Sequence, residues 1–320
     1  MLELSLIELL VFYCRQKAAE KDIIPHFQIT TNGTLLTEKT VKKLSELKIS
    51  VAVSIDGCEK AHDANRLFPS GSGSHSEVEK GLKNALKAWQ WVPTMSVLDP
   101  SNIAIWGESF EYLFSLGCRR MHFSINYETE WSDGDLKIFD KAAGEVAELW
   151  LKKLRKNIDV RLSFFDNKII THLKEGFDDC DRCSFGVGEI AVAPSGNLYP
   201  CDRLVGEDDR EHFIIGTVEK GVDLKKALAL KAYQKKPPEE CGECEYNDRC
   251  VNYCGCVNYA LSGCHDKVSG EICRFEQTAI RHADRIAETL FAEQNPIFME
   301  RFYHSIERRQ KRFSNGEGLS

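Results

Sequence analysis

The stretches CDRCSFGVGEIAVAPSGNLYPCD (180–202) and CGECEYNDRCVNYC (241–254) decide how this chain is read. Ten of its 13 cysteines lie between Cys180 and Cys273. Cys241, Cys244, Cys250 and Cys254 follow the spacing C-x2-C-x5-C-x3-C. Cys180 and Cys183 stand ahead of them, then Gly196 and Cys201 in PSGNLYPCD, and Cys273 closes the series. Thiols this dense serve as metal ligands or as a disulfide framework.

The rest of the chain bears on that choice. The N-terminus MLELSLIELLVFYC is apolar but carries Glu3 and Glu8, with no basic leader and no small-residue cleavage site. It is predicted to be an amphipathic helix, not a signal peptide. No stretch is long and clean enough to cross a bilayer. A cytoplasmic chain is therefore expected, in which thiols stay reduced and metal ligation becomes the default. The net charge of −7 argues against a nucleic-acid partner. The one basic run, Arg308, Arg309, Lys311 and Arg312, is predicted to be a solvated helix end or tail.

Working outward, the first half alternates. Helix is predicted over 4–18, strand over 27–30, a helix capped by Thr37, strand over 49–56, and a helix carrying Val78, Leu82, Ala85, Leu86 and Trp89. Strand over 94–98, helix over 103–116, strand over 120–125 and a long helix from Asp133 or Asp135 follow. Such alternation implies βαβ units and an α/β fold with a parallel sheet, here of four strands. Cys14, Cys58 and Cys118 in this half are expected to be buried thiols. From 166 to 275 regular alternation fades. EIAVAPSGNLYPC reads as a hairpin that delivers Cys201, and Pro237-Pro238 marks a break before the second cysteine group. Residues 276–293 return to helix, with Ile280, Ala283, Ile286, Ala287, Leu290 and Phe291 on one face.

Cys241, Cys244, Cys250 and Cys254 alone can form a zinc site. Four further thiols at Cys180, Cys183, Cys201 and Cys273 bring the number to eight, which suits two four-cysteine clusters or two zinc ions. The count does not decide between them.

Taken together, Cys183-x12-Gly196-x4-Cys201, Cys241-x2-Cys244-x5-Cys250-x3-Cys254 and Cys273 resemble the seven-cysteine SPASM signature of radical S-adenosylmethionine enzymes. The first half resembles the same family, through TTNGTLLT (30–37), SIDG (54–57) with His62 and Arg66, and GSGSHSEVEKGL (71–82). The resemblance implies a partial (βα)6 TIM-like radical S-adenosylmethionine barrel over 1–165 that lacks its first two strands. It implies an iron-sulfur SPASM domain over 166–275 and a C-terminal helical extension over 276–320. Two auxiliary 4Fe-4S clusters are implied, one on Cys180, Cys183, Cys201 and Cys254, the other on Cys241, Cys244, Cys250 and Cys273. Cys256 and Cys264 are left over as bystanders. By the same resemblance Ser54 and Arg66 contact S-adenosylmethionine, where a hydroxyl suits a ribose and a guanidinium suits a carboxylate. Asp202 is implied as the base that deprotonates a substrate side chain.

The family's C-x3-C-x2-C loop, whose cluster cleaves S-adenosylmethionine to a 5'-deoxyadenosyl radical, is absent from the sequence. Its GGEP segment is absent as well. The expectation is a shortened family member, inactive by itself. In full form the resemblance implies an oxidoreductase that modifies a peptide or protein side chain, as in sulfatase maturation or ribosomal-peptide modification. Its electron donor would be a flavodoxin or ferredoxin. Whether this chain is itself an enzyme stays open. The alternatives are a non-catalytic iron-sulfur protein that relays electrons or binds a peptide, and a zinc-stabilised domain.

Overall fold

The alternation of the first half is realised, with one strand more than expected. The computed structural model describes residues 3–178, 181–183, 185–232 and 239–306. It opens with α1 (Leu4–Ala19), β1 (Phe27–Thr31), α2 (Glu38–Glu46) and β2 (Ile49–Ser54). The short α3 (Glu59–His62), α4 (His75–Ala88), β3 (Thr94–Leu98), α5 (Trp106–Ser115) and β4 (Arg120–Ile125) follow. Then come α6 (Asp133–Arg155), β5 (Arg161–Leu162) and α7 (Ser163–Leu173). The five strands make one parallel sheet in the order β1-β2-β3-β4-β5. The fifth strand escapes sequence reading because two residues between helices carry no periodicity.

Local chemistry places these elements. The Thr37 hydroxyl accepts the Thr40 N–H at 3.2 Å and starts α2. Four of the six residues of β2 are buried, as in a strand covered on both faces. Trp106 is fully buried, its ring centroid 5.5 Å from that of Phe123 and 5.0 Å from that of Phe164. Such aromatic contacts add to the area they bury.

Helix α1 departs from expectation. Only Val11 and Ala18 are buried in it, while Leu9, Leu10 and Phe12 are exposed, and Cys14 is exposed rather than buried. Its apolar residues are spread around the helix, so no single face can be covered. Cys58 and Cys118 are buried as expected.

The chain divides into two compact units. One gathers the residues up to Asn126 with Asp133–Asp166 and Ile286–Met299, and so holds the parallel sheet. The other comprises Tyr127–Ser132, Asn167–Arg285 and the residues from Glu300 on. In this second unit β6 (Ala191–Val192) and β7 (Asn197–Tyr199) form the expected hairpin. Gly196 takes φ +91° at its turn, a conformation that favours glycine. With β8 (Gly216–Thr217) and β9 (Gly221–Val222) the hairpin makes a four-stranded antiparallel sheet. The elements α8 (Leu224–Ala232), α9 (Gly255–Ser262), α10 (Gly270–Ala292), α11 (Pro296–Phe298) and a π-helical turn at Met299–Tyr303 follow. Helix α10 starts six residues earlier than the sequence suggests, so Cys273 sits in its first turn. Among the described residues no helix is long and apolar enough to cross a membrane. Cys180, Pro237-Pro238 and the basic run 308–312 lie outside the described residues.

Candidate functional site

In the first unit, polar side chains gather where β2 and β3 end. Asp56 is buried and receives the Arg66 guanidinium as a fork, Nε to Oδ2 at 2.6 Å and Nη2 to Oδ1 at 3.0 Å. Such paired geometry is the strongest form of an arginine–carboxylate contact. Asp56 Oδ1 also accepts the Val97 N–H at 2.8 Å, which ties the fork to β3. The Asp56 N–H donates to His62 Nδ1 at 3.3 Å. That leaves the proton on Nε2, which lies 3.0 Å from the Ser74 hydroxyl. Ser74 in turn donates to the Arg66 carbonyl at 2.7 Å and closes the ring. Burial pulls the His62 pKa down to about 4, so the ring is neutral near pH 7. Asp63 Oδ1 accepts the N–H groups of Ser74 and His75, both at 2.9 Å, at the start of α4. Gly57 at φ +120° turns the chain after Asp56, and a Cβ there would meet the Ser109 Cβ at 2.1 Å.

Ser54 is half-buried at the end of β2, opposite Met95. Arg66 is partly exposed beyond the fork, its side chain 29% accessible. Sequence alone does not single out Asp56, Asp63, Ser74 and His75. The acid two residues after Ser54 and the histidine in GSGSHSE are the available signals, and nothing local tells them from ordinary turn residues.

In the second unit the cysteines sort into two neighbourhoods. Cys201 is buried, and Cys183 and Cys254 are half-buried against the same apolar cluster, which includes Phe185, Tyr199, Leu204 and Phe213. The Cys183 thiol feels both Cys254 and Cys201, and burial raises its pKa. The hydrogen bond from Cys256 leads in pulling Cys254 down to about 7, and N–H groups at the start of α9 assist. The second neighbourhood contains Cys241, Cys244, Cys250 and Cys273. Burial raises the Cys273 thiol first, then the nearby Cys241 and Cys244. Cys250 is raised by burial and by Glu276, with Cys273 close by. Thiols 23 to 32 residues apart are thus neighbours, whereas Cys250 and Cys254, four apart, belong to different groups.

Beside Cys250 lies a buried ion pair. Lys168 Nζ meets Glu276 Oε2 at 2.5 Å, with both side chains less than a tenth exposed. Glu276 also accepts the Val251 N–H at 2.8 Å, and Lys168 donates to the Arg249 carbonyl at 3.1 Å. Arg249 and His172 both pair with Asp284. Asp202 is exposed, its carboxylate accepting the Arg203 N–H at 2.9 Å and facing the Cys201 thiol at 3.4 Å. Tyr127, which carries no signal in the sequence, packs against the Cys201 cluster, and burial raises its phenol.

All the described cysteines are free thiols. Among the described residues no three His, Cys, Asp or Glu side chains close tightly enough on one point to hold a single metal ion. Soft thiol donors in fours fit an iron-sulfur group, and the second neighbourhood supplies four.

No family model matches the chain. Curated relatives do. The cysteine-type anaerobic sulfatase-maturating enzyme of Clostridium perfringens is 24% identical over 254 residues, 75% of this chain and 67% of that protein. The serine-type enzyme of Klebsiella aerogenes is 23% identical over 261 residues, 77% of this chain and 62% of that protein. Among solved structures, polyhistidine-tagged anSMEcpe with bound AdoMet is 19% identical, with a TM-score of 0.76 over 92% of this chain and 80% of that one. Native anSMEcpe with bound AdoMet and Cp18Cys peptide is 20% identical, with a TM-score of 0.72 over 89% of this chain and 81% of that one. The structural likeness shows an α/β fold with a parallel sheet of the kind those proteins have.

Proposed function

These relatives and structures support the radical S-adenosylmethionine, sulfatase-maturase-like family for this chain, and on that premise we propose an iron-sulfur maturase of the SPASM type. Its task is to modify a side chain of a peptide or protein. The first unit is read as a partial barrel of the (βα)6 type, residues 166–275 as the SPASM domain and 276–320 as a helical extension.

The observation that carries this reading is the interleaved sorting of the thiols. Cys183, Cys201 and Cys254, with Cys180 as their expected fourth, hold one 4Fe-4S cluster, and Cys241, Cys244, Cys250 and Cys273 hold the other. When bound, such clusters would supply electron transfer, with potentials tuned by the surrounding charges and hydrogen bonds. Glu276, Lys168 and the Val251 N–H are the groups placed to do so beside Cys250.

At the sheet end, the fork between Asp56 and Arg66 fixes the guanidinium before any ligand arrives. It uses Nε and Nη2, so Nη1 is left over, and Arg66 with the Ser54 hydroxyl would hold the carboxylate and ribose of S-adenosylmethionine. Preorganisation of this kind lowers the entropy lost on binding. Asp202 takes a proton from the substrate side chain, and its exposure leaves it open to an incoming peptide. AdoMet and a peptide are bound in a structurally similar protein, which favours the same two partners here. A flavodoxin or ferredoxin completes the electron supply.

A second reading rests on a specific observation. The C-x3-C-x2-C loop is absent from the sequence, so this chain by itself is expected to relay electrons or hold a peptide without cleaving S-adenosylmethionine. Anaerobic purification with metal analysis tests the shared premise. About eight irons per chain, four for each four-cysteine cluster, are expected. A colourless protein with zinc would remove both readings. Incubation with S-adenosylmethionine and dithionite then separates them, since 5'-deoxyadenosine formation would refute the relay form.

A further inference from the structure

Cys254 and Cys256 meet across a single glycine. Their sulfurs lie 3.4 Å apart, and both are free thiols. A disulfide needs them at about 2.0 Å, so side-chain rotation has about 1.4 Å to close. The two thiols differ in access. Cys256 is 5% exposed and belongs to the apolar cluster of Phe185, Tyr199, Cys201 and Leu204, whereas Cys254 is half-buried and packs against it. A thiol that solvent reaches, beside one that it does not, is the arrangement of an attacked and a resolving cysteine.

The backbone explains how thiols two residues apart come to meet. Cys254 is the N-cap of α9, extended at φ −76° and ψ 96°, and Cys256 lies in the first turn. The change from extended to helical backbone between them turns both side chains to one side. A Cβ at Gly255 would meet the Phe185 Cζ at 3.1 Å, so the glycine lets the start of α9 rest on that ring. The buried Asn258 amide donates to the Asn252 carbonyl at 2.8 Å and ties the helix to the residues before Cys254.

We propose that Cys254 and Cys256 form a redox-active dithiol, which closes reversibly to a disulfide when a peroxide reaches Cys254. The Cys254 sulfur attacks one peroxide oxygen and breaks the O–O bond, giving a sulfenic acid and a first water. The Cys256 sulfur then displaces the sulfenic oxygen, which leaves with the thiol proton as a second water. One S–S bond has formed, the two thiols have lost two electrons, and one peroxide has been reduced. An external dithiol returns both thiols by exchange, and a bond across one residue is of the strained kind that is readily reduced. The pair goes beyond the maturase reading and does not depend on it. Cys254 is also an expected iron ligand, so wherever iron is bound the two uses compete for one sulfur.

The test uses the full chain purified without oxygen, with its iron counted first. Hydrogen peroxide is added, free thiols are alkylated, and the masses of chymotryptic peptides are measured. Cleavage after Tyr253 and Tyr259 releases Cys254–Tyr259 with both sulfurs. In the wild type this peptide should lose two hydrogens, resist alkylation, and regain two alkylatable thiols after dithiothreitol. Cys241 and Cys244 should stay alkylatable. Cys256→Ser should leave a sulfenic acid on Cys254 that dimedone captures, and Cys201→Ser should close the loop as the wild type does. In urea the preference for this pair should disappear. A fully alkylated Cys254–Tyr259 peptide, a bond from either sulfur to Cys201, an equal yield of a Cys241–Cys244 bond, or an unchanged preference in urea would each overturn the proposal. Failure of the iron-sulfur reading looks different: the loop then closes in a protein that holds no iron, whereas an iron-loaded protein that keeps both thiols open sinks only the dithiol.

Discussion

The two units are built on opposite economies of structure. In the first, β1 to β4 are five or six residues long, and β1 with β2 and β3 with β4 pair over five residues each. In the second, β6 to β9 are two or three residues long, and many of the described residues between Phe177 and Cys254 are in turns. Strands that short do not hold a fold by backbone pairing. What the second unit has in their place is a set of thiols, a buried ion pair and an apolar cluster with cysteine as a member. The first unit is held by side chains that avoid water, and under the proposed iron-sulfur reading the second depends also on side chains that bind metal.

Removing the iron should expose that difference most strongly. A chelator under reducing conditions is expected to abolish amide-exchange protection in β6 to β9 and α9 and to leave protection in β2, β3 and α6 in place, because ligation free energy is folding free energy. Protection that survives in both units would break the comparison. The next largest effect belongs to the first unit. Trp106→Ala should cost about 3–5 kcal/mol, read by urea unfolding of the sheet unit, with or without iron.

The Lys168–Glu276 pair asks whether iron alone secures the second unit. Lys168→Met leaves a buried carboxylate unpaired beside Cys250 and should cost about 3–5 kcal/mol in the loaded protein. The double change Lys168→Met with Glu276→Leu should recover much of that loss. If the single variant melts like the wild type, the ion pair is ornamental and the clusters do all the holding. Asp56→Asn should cost about 1–3 kcal/mol in the first unit, where it weakens the fork to Arg66 and the bond from Val97.

The smallest effect is a pH dependence of the first unit. The His62 pKa is depressed in the fold to about 4, below its ordinary 6.5, so the unfolded chain binds the extra proton first. Its contribution is full above pH 6.5, falls as the pH drops through that window and is gone below about 4. Melting temperatures of the wild type should therefore decline between those values more steeply than those of His62→Gln. Parallel curves would show that His62 does not titrate in this way.

The same contrast explains what can be read from sequence. Strands 94–98 and 120–125 agree residue for residue with the structure because apolar alternation between turns leaves a clear signature. The hairpin before Cys201 is legible from Pro194-Ser195-Gly196-Asn197. Arg161–Leu162 is not, being a strand only through its partners Arg120 and Met121. The ring from Asp56 through His62 and Ser74 to Arg66 is hidden as well, since its members span 19 residues of loop and short helix and meet only when folded. The contact between the Cys254 and Cys256 thiols is hidden too, because spacing reports distance along the chain, whereas the fold sets distance in space.

The most direct test of this contrast is the Mössbauer spectrum of oxygen-free protein reconstituted with enriched iron, recorded for the wild type and for Cys250→Ser. Cubane-type iron is expected at about eight atoms per wild-type chain, falling by half in the variant, because the two thiol groups load separately. A wild-type spectrum without cubane iron, or a variant with its iron count unchanged, would contradict it.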